Sequence, residues 1–129
     1  MGVDVRALAR AAVVVGACSL LAGLNSPGAM AAAGSNEFII TDRGAAYFYH
    51  NGDKVEAVDR KSDGYWIRAD LRWSTGSDSW STISAEARGQ GEVDSASVNL
   101  REGKAVKLRM CYMKDIFEQK CSKWQGAHA

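Results

Sequence analysis

Nine consecutive residues, Tyr65–Trp73, alternate in side-chain character without a break. Tyr65, Ile67, Ala69, Leu71 and Trp73 point one way, and Trp66, Arg68, Asp70 and Arg72 the other. Side chains of an extended chain leave on opposite faces with a period of two, so this run reads as a strand with one buried and one wet face. A helix would scatter those charges around its circumference. The same period returns in Lys104–Met113, where Val106, Leu108, Met110 and Tyr112 oppose Lys107, Arg109 and Cys111. No segment sustains a period of 3.6, and alanine-rich runs are confined to the first 33 residues.

The remaining segments fit the same scheme. Ala45–His50 and Lys54–Asp59 flank Asn51-Gly52, the strongest short hairpin signal, since a type I′ turn needs positive φ at both central residues. Trp80–Ala87, Val93–Leu100 and Lys120–Trp124 read as further strands, with Ser74–Ser79 and Lys114–Gln119 as loops. About six or seven strands separated by turn signals predict an all-β fold, a small antiparallel sandwich or barrel. We read one such domain over residues 45–129, with residues 34–44 an N-terminal arm or edge strand around Phe38-Ile39-Ile40.

Residues 1–33 have a different composition. Arg6 and Arg10 precede the apolar run Ala11–Leu24, Pro27 breaks it, and Ala29-Met30-Ala31 and Ala31-Ala32-Ala33 offer cleavage sites. That order predicts a helical secretory signal peptide and a secreted, extracellular protein. As a helix the run would be roughly 21 Å long, too short for a hydrocarbon core of about 30 Å, so no membrane span is expected after cleavage. Val15-Gly16-Ala17-Cys18 weakly resembles a lipidation site, but the apolar run continues past it through Leu20-Leu21. Removing the signal leaves Cys111 and Cys121, which outside the cell read as one disulfide. If their segments form a hairpin, the two lie opposite each other, away from Leu108 and Met110.

Charge is balanced overall and uneven along the chain. The sequence has 16 basic and 15 acidic residues. Residues 34–100 carry 7 basic and 11 acidic groups, whereas residues 101–129 carry 7 and 3. A basic strip for an anionic partner competes here with pairing of the two halves inside one fold, and we favour the pairing. No nucleic-acid partner is expected.

No catalytic set stands out. The histidines are His50, beside the turn, and His128, expected to fray, and no serine sits in a G-x-S-x-G elbow. Asp59, Asp63 and Asp70 read as turn chemistry rather than an acid/base pair. Asp59-x-Lys61-x-Asp63-Gly64 superficially follows a calcium loop, but its lysine would repel the ion. Ser77–Thr82 departs from a βγ-crystallin-type calcium motif at its first and last positions. Zinc-ligand spacing and a phosphate-cradling glycine loop are missing. No enzyme activity, metal or cofactor is expected. Trp73 shares the apolar face of its strand and reads as core. Trp66 lies with Arg68, Asp70 and Arg72, and that strip is the candidate binding surface, because a tryptophan among polar groups stacks on sugar rings or anchors protein partners. For Trp66 itself we favour the reading that it lies beneath a second sheet or a loop, or over the stem of Arg68, and the strip remains the best candidate surface.

The region over residues 44–124 resembles the small secreted β-rich proteins of unknown function abundant in actinobacteria. The residues that carry the likeness are Gly52-Asp53-Lys54, Asp59 with Ser62-Asp63-Gly64, Trp66 with Arg72-Trp73, Asn99–Gly103, and Arg109-x-Cys111 with Cys121-Ser122. The resemblance implies a compact sandwich and export, and it brings no activity. Such relatives often have a further cysteine near position 57, where this chain has Ala57. The expectation is a monomeric binding or interaction module for an extracellular protein or glycan. The alternative is a secreted inhibitor or toxin-like protein whose working part is the Lys114–Gln119 loop.

Overall fold

The computed structural model describes residues 33–129, so the expected signal segment lies, apart from Ala33, outside the described residues. Those residues form nine strands in two antiparallel sheets that do not close into a barrel. In chain order the strands are β1 Glu37–Ile40, β2 Gly44–Tyr49, β3 Lys54–Asp59, β4 Trp66–Gly76, β5 Ser79–Ala87, β6 Val93–Ser97, β7 Ala105–Lys114, β8 Phe117–Cys121 and β9 Gln125–His128. One sheet has the order β1-β2-β3-β6, and the other β5-β4-β7-β8, with β9 also pairing β7. The all-β fold expected as a sandwich or barrel is an open two-sheet sandwich, with nine strands where about six or seven were expected.

The core is the layer between the sheets. Ile67, Ala69 and Leu71 of β4 and Val106, Leu108 and Met110 of the adjacent β7 share one core with Phe48, Val55 and Ala57 of the smaller sheet. Trp73, Ala96, Val98 and Leu100 pack around this centre. Of the inward set named by the alternation, Ile67, Ala69, Leu71, Trp73, Val106, Leu108, Met110 and Tyr112 lie in or against this core, whereas Tyr65 precedes β4, is absent from the core and lies under the Arg43 guanidinium.

Four local expectations need correction. The β2–β3 hairpin forms, but positive φ falls at Gly52 (85°) and Asp53 (45°) and not at Asn51, so the turn is not type I′. The reason is long-range: the Asp53 carboxylate accepts a bond from the Leu100 amide at 2.8 Å, which sets the conformation of its own residue. Ser74–Ser79 is mostly strand, with β4 and β5 meeting around Ser77-Asp78, and Asp78 has φ 59°. Lys114–Gln119 is no open loop either. It is the end of β7, a turn at Asp115-Ile116 and the start of β8. Finally, His128 does not fray. It lies in β9, its amide donates to Ser35 Oγ at 3.0 Å, and Ser35 N donates to the His128 carbonyl at 2.9 Å. The expected edge strand is present as β1, paired with β2 through Phe38↔Tyr47 and Ile39↔Ala46.

Candidate ligand surface on the five-stranded sheet

Strand pairing lays the outward residues of β5, β4, β7, β8 and β9 out in rows. Arg68 pairs with Glu86 on one side and Cys111 on the other, and Cys111 with Cys121. One row on, Asp70 lies between Ser84 and Arg109; the next row sets Arg72 between Thr82 and Lys107, and Lys107 against Gly126. At the end Ser74 pairs with Trp80, and Ala105 with His128. The strip Trp66, Arg68, Asp70 and Arg72 is therefore one column of a face built by five strands.

The column is not uniformly wet: Trp66 is covered by a turn, as the favoured reading had it, whereas the expected exposure of Asp70 is corrected. Trp66 is buried. Its Nε1 donates to the Asp115 carbonyl at 2.8 Å, the Arg88 guanidinium covers its ring at 4.4 Å, and it packs with Cys111, Met113 and Cys121. A tryptophan capped this way offers no free face for stacking. The disulfide Cys111–Cys121 lies in this small cluster, between directly paired residues and on the side away from Leu108 and Met110.

Asp70 is only 2 % exposed although it faces outward. Arg68 grips it through Nε (2.8 Å) and an Nη (3.0 Å), Arg109 through Nη2 (2.8 Å) and Nε (3.2 Å), and the Ser84 hydroxyl donates at 2.7 Å. Burial pushes the Asp70 carboxyl up, but these hydrogen bonds and the Arg68 charge outweigh it and hold it below the usual carboxylate range. Arg68 also pairs with Glu118, which stands 3.8 Å from Arg109. Burial alone would lower Arg68, yet hydrogen bonds to Asp70 and Glu118 raise it above its ordinary value. Two cations and two carboxylates thus form a neutral block around the middle of the face.

The far end differs. The Arg72 guanidinium lies 4.0 Å from the Trp124 ring centre and 4.5 Å from that of Trp80. Its Nε is buried without a hydrogen-bond partner, and among the described residues neither Arg72 nor Lys107 has a carboxylate in ion-pair range. Lys107 Nζ sits 5.4 Å from the Trp80 ring centre, and Arg109 stacks on Trp124 at 4.4 Å. Trp80 remains 47 % exposed. It lines a recess of about 370 Å³ together with Ala105, Lys107, Gly126 and His128.

Sequence reasoning placed Arg68, Asp70 and Arg72 on one face and missed Trp80, Trp124, Lys107 and His128. The register of β4 against β5 and β7 was the missing information. The calcium-like spacing does not bring Asp70 to Asp59, because Asp70 is held by arginines on the outer face of β4 while Asp59 ends β3 in the other sheet.

Comparison with family models, curated proteins and solved structures finds no match for this chain.

Proposed function

We propose that the protein is a secreted binding module that takes an extracellular glycan or protein on the outer face of its five-stranded sheet. The observation that carries this reading is the end of that face where Trp80 stands half open beside unpaired Arg72 and Lys107. Tryptophan and arginine are the residues most enriched where recognition energy concentrates, and both are present here already positioned. Export belongs to the same proposal. Cleavage after Ala33 would remove none of the pairings that begin at Ser35, and the Cys111–Cys121 bridge suits an oxidising compartment. Kinship with the small secreted actinobacterial β-rich proteins, and action as a monomer, are likewise proposed.

The test is a glycan and extracellular-protein array probed with the disulfide-intact protein and with Trp80→Ala. Loss of the strongest signals in the variant supports the reading, and identical binding by both removes this face from consideration.

A second reading has its own observation. Ile116 and Phe117 are 77 % and 65 % exposed at the tip of the β7–β8 hairpin. The disulfide and the Trp66–Asp115 bond hold that tip. Such a clamped apolar tip suits an inhibitor, since a preordered loop loses little entropy on insertion. A panel of secreted proteases and glycosidases, with Phe117→Ser as control, decides it: inhibition lost in the variant favours this reading, and no inhibition by the wild type discards it.

A further inference from the structure

The neutral block and the open end of the sheet divide the outer face electrostatically. Around Asp70 every arginine has a carboxylate: Arg68 and Arg109 share Asp70 and Glu118, and Arg88 pairs with Glu86. Around Trp80 the cations have aromatic rings instead. Arg72 lies between two tryptophans with its Nε buried and unpartnered, and Lys107 approaches Trp80.

The recess beside these cations has a matching shape. Trp80 lines it together with the small residues Ala105 and Gly126, and Lys107, His128 and Ser74 are the polar residues of its lining. None of its lining residues is acidic. Its volume of about 370 Å³ lies at the small end of ligand pockets, which run roughly 300–1,000 Å³, so it holds one ring rather than a chain of them. An indole wall takes the C–H face of a pyranose, and the neighbouring cations favour a negative substituent.

We infer that this recess is a subsite for a single sugar ring carrying a carboxylate or a phosphate, with Trp80 as the stacking platform and Lys107, with His128 beside it, as the anion-binding group. This names the ligand class of the face described above and rests on that reading.

The chain supplies a clean way to close the site. A Cβ added at Gly126 would meet nothing within 4 Å, and its φ is not in the left-handed region. Gly126→Leu therefore fills the recess while leaving β9 intact, and Lys107→Ala removes an exposed charge. The experiment is titration of the disulfide-intact protein with D-glucuronate, glucose 6-phosphate and methyl glucoside, followed by tryptophan fluorescence and by amide shifts of residues 105–107 and 126–128. The expected result is that at least one anionic probe binds about tenfold tighter than methyl glucoside, the order expected of a charge-assisted hydrogen bond. That binding should fall about tenfold or more in both Gly126→Leu and Lys107→Ala at unchanged melting temperature. The stronger of the two anions distinguishes a carboxylate-bearing from a phosphate-bearing sugar. Equal binding of all three probes, or anion binding that survives Gly126→Leu, overturns the inference. No binding of any probe, while array signals still vanish in Trp80→Ala, overturns it and leaves the binding face standing. Recess-dependent anion binding with array signals unchanged in Trp80→Ala upholds the subsite and defeats the broader reading.

Discussion

The two faces of β4 are equally buried at their centres and are built in opposite ways. Inward, Ile67, Ala69 and Leu71 lie among alkyl side chains, with small residues such as Ala46, Ala57, Ala85 and Ala87 in the same core. Outward, Asp70 is as inaccessible as its neighbours in sequence, but the cover is made by arginine stems and a serine hydroxyl. Long cationic side chains lie flat over a sheet and keep their heads on a partner. Alternation therefore tells which residues share a face and not whether that face is wet. The inner face tolerates changes of shape poorly, and the outer one tolerates changes of charge poorly.

The largest expected effects lie at the adjacent pair in the middle of the strand. Leu71→Ala should destabilise the fold by about 2–5 kcal/mol through lost burial and the cavity left behind. Asp70→Ala should cost about 3–5 kcal/mol, because two partly buried arginines then keep only the more exposed Glu118. Urea denaturation of the two variants measures both. A cost at Asp70 of less than about 1 kcal/mol would class the outer layer as an ordinary set of surface pairs.

The bridge comes next. Replacing both cysteines by alanine should cost about 3 kcal/mol by the loop-closure model and should loosen the Trp66–Met113 cluster first. Faster hydrogen exchange in β8 than in β4 of that variant is the expected signature. Equal loss across both strands would show that the bridge holds the whole sheet and not one hairpin.

Acid separates the outer-face carboxylate of Asp70 from that of Asp59, buried at the end of β3. Asp70 has a lowered folded-state value, so its stabilisation is complete above the ordinary carboxylate value of about 3.9 and is lost as pH falls through the lowered one. Asp59 runs the other way. Burial raises it, with Asp63 and Glu92 adding to the shift against a bond from the Lys61 amide. Its folded form holds the proton more tightly, so stability declines as pH rises from about 3.9 through the raised value. Denaturation midpoints between pH 2 and 7 should show Asp70→Asn losing its penalty in acid and Asp59→Asn gaining on the wild type with rising pH. Parallel curves for the two variants would contradict these assignments.

The smallest effect is expected at the rim. Glu118 is substantially exposed, and Glu118→Gln should change stability by less than about 1 kcal/mol.

The fold was legible because β4 and β7 alternate strictly and because the two cysteines flank a hairpin. The strands that escaped notice carry no such pattern. β9 is Gln125–His128, four residues including a glycine, and it pairs with the N-terminal half of β7, the part of that edge that β8 leaves open. Its last turn is secured by partners distant in sequence: the Gly103 amide donates to the Ala129 carbonyl, and Ala129 N to that of Lys104. The candidate site was half legible. Arg68, Asp70 and Arg72 are neighbours by period, whereas Trp80, Trp124, Lys107 and His128 arrive from three other segments by register. Trp66 reads as exposed from its own strand and is covered by Arg88, just beyond β5, and by the β7–β8 turn. A cover supplied by other segments leaves no trace in local alternation.

The central claim is that the outer face is a fixed ion and aromatic layer, rigid enough to hold the Trp80 end in place for a ligand. A double-mutant cycle between Asp70→Asn and Arg109→Met, read by chemical denaturation at pH 7, tests it most directly. The account predicts a coupling energy above about 1.5 kcal/mol, as for contacts within one connected network. A coupling below about 0.5 kcal/mol, typical of solvated surface pairs, would contradict it.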